Sequence, residues 1–370
     1  MSLRILLSGM VCGDPWQAGA SWAVAQYLLG LRRLGHDVWL VEPVDGELDG
    51  DYVREVVCAF GLDGRVAFVE RGTGDVVFGA EREAILAQPF DVLLNVAGML
   101  QDSGLVDAIP VRVYLDLDPG FTQLWHAVEG IDMRLAGHTH FVTVGQAIGS
   151  DACPIPDCAV EWIHTVPPVV LEPWSRNGDV GTDGAYTTVG NWRSYGSIEH
   201  AGIRFGQRAH SMRAFLQLPR AVQAPIQVAL AIANGDAADR RGLETHGWRL
   251  VDPLAAAGTP PRYQEFVKRS KAEIGFAKSG YVNARCGWFS DRSACYLAAG
   301  RPVIAQDTGA RALPAGSGLL FFSTLDEVVA AIDDVERDYE RHASAARVLA
   351  EEHLDSDQVL GRLLEQIGLG

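Results

Sequence analysis

Residues 276–308, FAKSGYVNARCGWFSDRSACYLAAGRPVIAQDT, admit few folds. A glycine-bearing loop runs into Ser290-Asp291-Arg292-Ser293, where Ser or Asp can accept a free backbone N–H and open a helix. Ala294 to Ala299 is apolar and would pack that helix onto a sheet. Gly300 ends it, and Pro302 stops it from continuing. Val303-Ile304-Ala305 reads as a short buried strand, with Gln306-Asp307-Thr308-Gly309 hanging from its carboxyl end. In open α/β sheets, ligands collect at those carboxyl ends. The helix start adds unpaired N–H groups and a partial positive charge, which suit a phosphate.

The same alternation runs along the chain. Strands are expected at residues 4–8, 38–41, 65–69, 91–96, 111–115, 139–144 and 160–163, then at 186–189, 226–231, 248–251, 303–305 and 318–322. Helices are expected between them, at 21–34, 52–60, 80–87, 207–218, 262–273 and 325–332, with two more at 339–351 and 358–367. Strands alternating with helices imply a mostly parallel sheet covered on both faces. A chain of 370 residues has room for two such cores. The Pro-rich stretch from Val166 divides them: domain 1–165, linker 166–184, domain 185–345, and closing helices 346–370 that pack back toward the first domain.

Ala298-Ala299-Gly300-Arg301-Pro302-Val303-Ile304 resembles the A-x-G-x-P-V-I turn of GT-B glycosyltransferases of the family 1 and family 4 kind. Gly35-His36-Asp37-Val38 resembles the G-H-x-V that ends their first helix. The resemblance implies an α/β chain with GT-B architecture, two Rossmann-like βαβ domains facing across a cleft. It also implies a hexosyltransferase that moves sugar from a nucleoside-diphosphate sugar, UDP- or TDP-linked, to a small-molecule acceptor such as a natural product. No metal and no permanently bound cofactor would be needed. A nucleotide-sugar epimerase, a phosphorylase and a catalytically silent sugar-nucleotide binder share the fold and stay open. Two departures stand out. The retaining branch places an acid near Cys295, and inverting relatives place a histidine in the first loop; this chain has neither, so the stereochemical course is open. The first loop also lacks G-x-G-x-x-G.

On the donor side the resemblance implies diphosphate at Ser290, Asp291, Arg292 and Ser293, helped by Gly287, Lys278 and Arg285. Asp291 would compete with phosphate for the same N–H groups, and simple helix capping is the plainer reading. Gln306, Asp307 and Thr308 would hold sugar hydroxyls. Asn191 and Trp192 match the donor-phosphate loop, although Trp192 can equally be a lid or core residue. Val251 would bond the base edge unless it is an ordinary strand exit. On the acceptor side stand Trp16, Asp116 and His138. Transfer needs a base for the acceptor proton. Asp118 is the first candidate and Asp14 its competitor, though Asp116 and Asp118 can also serve only to hold the Pro119-Gly120 turn.

Composition removes other classes. A net charge of −16 argues against a nucleic-acid or anionic-membrane surface. The six cysteines are scattered without a CxxC pair, as in a reduced cytoplasmic protein. The start MSLRILLSGM is too short for a signal peptide, and no apolar run reaches the roughly 18–20 residues that span a bilayer. His138 and His140 lack a fixed third ligand for a metal. A homodimer is compatible with all of this.

Overall fold

The computed structural model describes residues 2–175 and 184–370. Residues 176–183 of the expected linker therefore lie outside the described residues. Two sheets organise the chain. The first contains β1 (Arg4–Ser8), β2 (Asp37–Val44), β3 (Val66–Glu70), β4 (Val76–Gly79), β5 (Val92–Val96), β6 (Val111–Asp116), β7 (His140–Thr143) and β8 (Trp162–His164), in the order β4-β3-β2-β1-β5-β6-β7-β8. Every pairing is parallel except β3 with β4. Apolar runs such as Ile5-Leu6-Leu7 are wholly buried, as central parallel strands covered on both faces require.

The second sheet contains β9 (Tyr186–Asn191), β12 (Ile226–Ala231), β13 (Arg249–Leu250), β14 (Ala272–Gly275), β15 (Val303–Gln306) and β16 (Leu319–Phe322), in the order β13-β12-β9-β14-β15-β16. All of its pairings are parallel. A hairpin of β10 (Ile198–His200) and β11 (Ile203–Phe205) stands apart.

Three local expectations change. The helix expected over 262–273 is Pro260–Arg269, and the chain then enters β14, a central strand. Within β14 the Glu273 carboxylate is wholly buried and paired with Arg292. The segment 207–218 is a short helix, Arg208–Met212, a 3₁₀ turn and a second helix, Leu218–Ala221, which Pro219 helps to start. The β4 edge strand and the β10–β11 hairpin have no counterpart in the sequence reading.

The lobes are packed together. Helix Asp291–Ala298 lies between the second sheet and helix Ala18–Arg33, in one apolar core that includes Ala294, Cys295, Trp22 and Leu28. Trp22 donates its indole N–H to the Pro260 carbonyl at 3.0 Å. The closing helix Ser356–Gln366 packs on the first helix, where Arg33 pairs with Asp357 at 3.1 Å. Among the described residues no helix is long and apolar enough to cross a membrane.

Candidate active site

The carboxyl end of β6 builds the N-terminal side of the site. Buried Asp116 accepts from Thr122 Oγ1 (2.8 Å), Gln123 Nε2 (2.9 Å), Thr143 Oγ1 (2.8 Å) and the Asp118 backbone N–H (3.0 Å). Burial raises its pKa against these donors. With both oxygens occupied, Asp116 fixes the turn rather than binding an acceptor. The turn then presents Asp118, which is only half-buried.

Asp118 meets the other lobe. Lys278, just beyond β14, places its ammonium 3.1 and 3.2 Å from the two carboxylate oxygens. Tyr195 donates to Oδ2 at 2.5 Å, Tyr281 donates to Oδ1, and Lys278 also donates to the Tyr195 oxygen. Three rings surround the ammonium, with centroids 4.3 Å (Tyr195), 5.1 Å (Tyr281) and 5.2 Å (Phe121) away. Ring faces attract a cation. Burial still lowers the Lys278 pKa, opposed by Asp118.

A second buried cation lies beside this cluster. Arg208 donates from Nε to the Phe276 carbonyl (3.0 Å) and from Nη1 to the Asn191 carbonyl (2.9 Å). Burial lowers its pKa to about 9, with Arg292 pushing the same way. Gly190 makes room for it: φ is +149°, and a Cβ there would stand 2.3 Å from Arg208 Nη1. Asn191 reaches back across the seam, donating to Gln17 Oε1 at 3.1 Å.

The helix start at Ser290 faces the same seam. Ser290 Oγ caps it by accepting from the Arg292 N–H at 3.2 Å. Half-buried Asp291 lines a cavity with Tyr27, Leu117, Pro168, Trp288 and Phe289, side chains of both lobes. That cavity is about 30 Å³, room for about two waters and too small for a diphosphate. In this conformation the helix start is walled in from the N-terminal side. Tyr281, which donates to Asp118, stacks on Trp288, and Trp288 lines that cavity with Asp291, so the helix start and the Asp118 cluster adjoin along one seam. A cavity of about 400 Å³ lies elsewhere, at the carboxyl ends of β2 and β3, lined by Pro43, Arg71, Thr73, Arg82 and Met99 among others; it shares no residue with the seam.

Several expected site residues have other work. Trp192 is buried in the second lobe's core and donates to Asp239 at 2.9 Å, so it is not a lid. Arg292 pairs with Glu273 and donates to the Val189 carbonyl at 3.1 Å, so its guanidinium is held within its own lobe. Gly287 has φ +76°, and a Cβ there would stand 2.9 Å from the Ala147 backbone nitrogen; its role is close approach between lobes rather than phosphate contact. Val251 already donates its N–H to the Val228 carbonyl (3.0 Å), leaving only its own carbonyl for a base. His138 is held by Asn95 (3.1 Å) and the Leu135 carbonyl (3.2 Å) in the first lobe.

The remaining candidates are placed as follows. Buried Ser293 lies in the first turn of its helix. Gln306 Oε1 accepts from the Ala277 N–H at 3.2 Å, beside Lys278. Asp307 pairs with Arg311 (3.0 Å), and Thr308 donates to the Trp288 carbonyl (2.5 Å). Arg285 is exposed in a left-handed turn. In the first loop, Trp16 donates to Asp49 (3.1 Å), while Asp14 is exposed and accepts from Gln17 (2.5 Å). Among the described residues no group of three or more metal-ligating side chains gathers.

Solved structures share this fold over almost the whole chain. An alpha-glucosyltransferase in complex with UDP and a 13-mer DNA superposes with a TM-score of 0.63 at 13% identity, covering 99% of each chain. The glycosyltransferase AviGT4, involved in avilamycin A biosynthesis, gives 0.57 at 13%, over 99% of this chain and 97% of that one. A putative UDP-N-acetylglucosamine 2-epimerase from Listeria monocytogenes gives 0.52 at 10%, over 99% and 96%. The fold is GT-B. No protein-family model and no curated protein matches the chain.

The seam described above is thus the interdomain cleft of a GT-B protein. Sequence reasoning missed three residues of the seam and one that holds the first loop. Arg208 sits in no motif, and only its partner Gly190, a glycine inside a strand, could have signalled a close approach. Tyr195 and Tyr281 read as generic aromatics. Glu42, in an apolar run, was passed over; its buried carboxylate accepts the backbone N–H groups of Val11 (3.0 Å), Cys12 (2.9 Å) and Gly13 (2.8 Å), holding the first loop of the GT-B cleft.

Proposed function

We propose that the chain is a glycosyltransferase that moves a sugar from a nucleoside-diphosphate sugar to a small-molecule nucleophile. We read residues 1–165 as the acceptor domain, 185–345 as the donor domain, and 346–370 as the helices that tie them. The observation that carries the proposal is the grouping of Asp118, Lys278, Arg208 and the Ser290 helix start along one seam. With the lobes parted, the donor diphosphate would lie against the N–H groups at Ser290–Ser293, with Arg208 and Lys278 neutralising it. Gln306 and Asp307 stand at the carboxyl end of β15, where sugar hydroxyls would lie. Asp118 takes the acceptor proton as the acceptor oxygen bonds to the anomeric carbon and the carbon–phosphate oxygen bond breaks. The departing diphosphate is stabilised by the helix start and the two cations. Closure of the lobes excludes water from the donor.

UDP is the nucleotide to try first, because the alpha-glucosyltransferase with this fold was solved with it. That enzyme also held DNA. A net charge of −16 disfavours DNA as the acceptor here. Incubation with UDP- and TDP-sugars, followed by product analysis, tests the proposal. A transferase slowly releases free nucleoside diphosphate. Return of an isomerised donor would make the chain an epimerase, and binding without turnover would make it a silent binder.

A further inference from the structure

The ion pair between Asp118 and Lys278 gives the site an internal control. We infer that Lys278 is shared between Asp118 and the donor diphosphate, so that donor binding unmasks the base. The inference rests on the proposed transferase reading.

Both Asp118 oxygens are occupied, Oδ1 by Lys278 and Tyr281 and Oδ2 by Lys278 and Tyr195. A carboxylate bonded to an ammonium and two phenols cannot take a proton from an acceptor until a donor leaves. The phenols are anchored by packing: Tyr281 stacks on Trp288 with centroids 4.3 Å apart, and Tyr195 sits edge-on to Trp125 at 4.6 Å. The lysine is the mobile member, a flexible chain of four methylenes. Its other neighbours show where it can go. Asp291, at the helix start, lines a cavity with Trp288, which stacks on the Tyr281 ring beside the ammonium. A diphosphate arriving there brings more negative charge than Asp118 carries and lacks a mobile cation of its own. Arg208 is pinned by two backbone carbonyls and Arg292 by Glu273, so Arg208 can offer a diphosphate only the N–H groups left where it stands, and neither exchanges partners. Of these three, Lys278 is the cation free to exchange partners. The exchange breaks the only charged tie between Asp118 and the other lobe among the described residues. Lobe opening, diphosphate neutralisation and release of the base then become one event, and donor binds before acceptor.

Calorimetric titration of UDP into the full chain tests this through a double-mutant cycle. Asp118→Asn keeps the shape and frees Lys278, so UDP binding should tighten, on the order of five- to tenfold, the low end of site-to-site coupling. Lys278→Met should weaken it. In the Lys278→Met background, Asp118→Asn should no longer tighten binding. Tyr195→Phe removes the other oxygen bonded to the ammonium without changing charge; it should tighten UDP binding by a smaller factor and serves if Asp118→Asn fails to fold. Unchanged UDP affinity in Asp118→Asn, or equal tightening with and without Lys278, would overturn the exchange while leaving the transferase reading intact. Wild-type chain that binds neither UDP nor TDP would remove both.

Discussion

Asp118 and Lys278 meet at 3.1 Å across the two lobes, inside a ring of Phe121, Tyr195 and Tyr281. The carboxylate comes from the end of a strand in one sheet and the ammonium from just beyond a strand in the other. Both sheets therefore direct their carboxyl ends at one place, where a two-lobed α/β protein holds its ligand.

The base assignment is testable first. Asp118→Asn should reduce sugar transfer on the order of 10²- to 10⁴-fold, the usual value of a positioned base, without weakening UDP binding. Exposed Asp14, which accepts from Gln17, should tolerate the same change with little loss. Steady-state kinetics of both variants on one donor and acceptor pair would show it. Full activity of Asp118→Asn would discard the assignment.

Gly190 offers a test of Arg208. Alanine at a φ of +149° is strained, and its Cβ would collide with the guanidinium. Gly190→Ala should weaken UDP binding about as much as Arg208→Met does, and should cost about 1–3 kcal/mol of stability. Calorimetry with the nucleotide and denaturant titration without it separate the two effects.

The pair beneath the helix start concerns stability. Glu273 is wholly buried and Arg292 nearly so. Arg292→Met leaves a buried carboxylate without its counter-ion, at a cost of about 3–5 kcal/mol. Replacing both, Arg292→Met with Glu273→Leu, should recover much of that loss, because no charge is then left alone. Chemical denaturation of the three variants gives the cycle.

Glu42 predicts a pH dependence. Burial lifts its carboxyl from an ordinary 4.5 to about 7, against the pull of three backbone N–H donors and Arg71. Between those values the folded chain keeps a proton that the unfolded chain has released. Stability from this group is therefore full below pH 4.5 and falls as pH rises to about 7, by up to about 3 kcal/mol. Glu42→Gln should flatten that part of the stability–pH curve. Urea midpoints measured from pH 4.5 to 7.5 check the sign.

Much of this architecture is legible in local patterns. Ile5-Leu6-Leu7 marks a buried strand, Gly35-His36-Asp37-Val38 and Gly300-Arg301-Pro302-Val303 each put a strand next to a helix end, and the structure keeps all three. What escaped depends on distant partners. The helix expected over 262–273 ran into β14, and nothing nearby in the chain reveals that Arg292 neutralises Glu273 inside that sheet. Arg208 became a site residue only through a missing side chain at Gly190. Trp192 and Gly287 lay in the right segments, yet packing turned one into the core and gave the other to lobe contact. Asp118 and Lys278 were each visible, but their meeting needed two sheets brought face to face.

The most direct measurement is a crystal structure of the chain grown with UDP. The account predicts parted lobes, with the diphosphate bonded to the N–H groups at Ser290–Ser293 and to Arg208, and Lys278 moved from Asp118 to a phosphate oxygen. UDP bound away from that helix start, or bound with the 30 Å³ cavity unchanged, would contradict it.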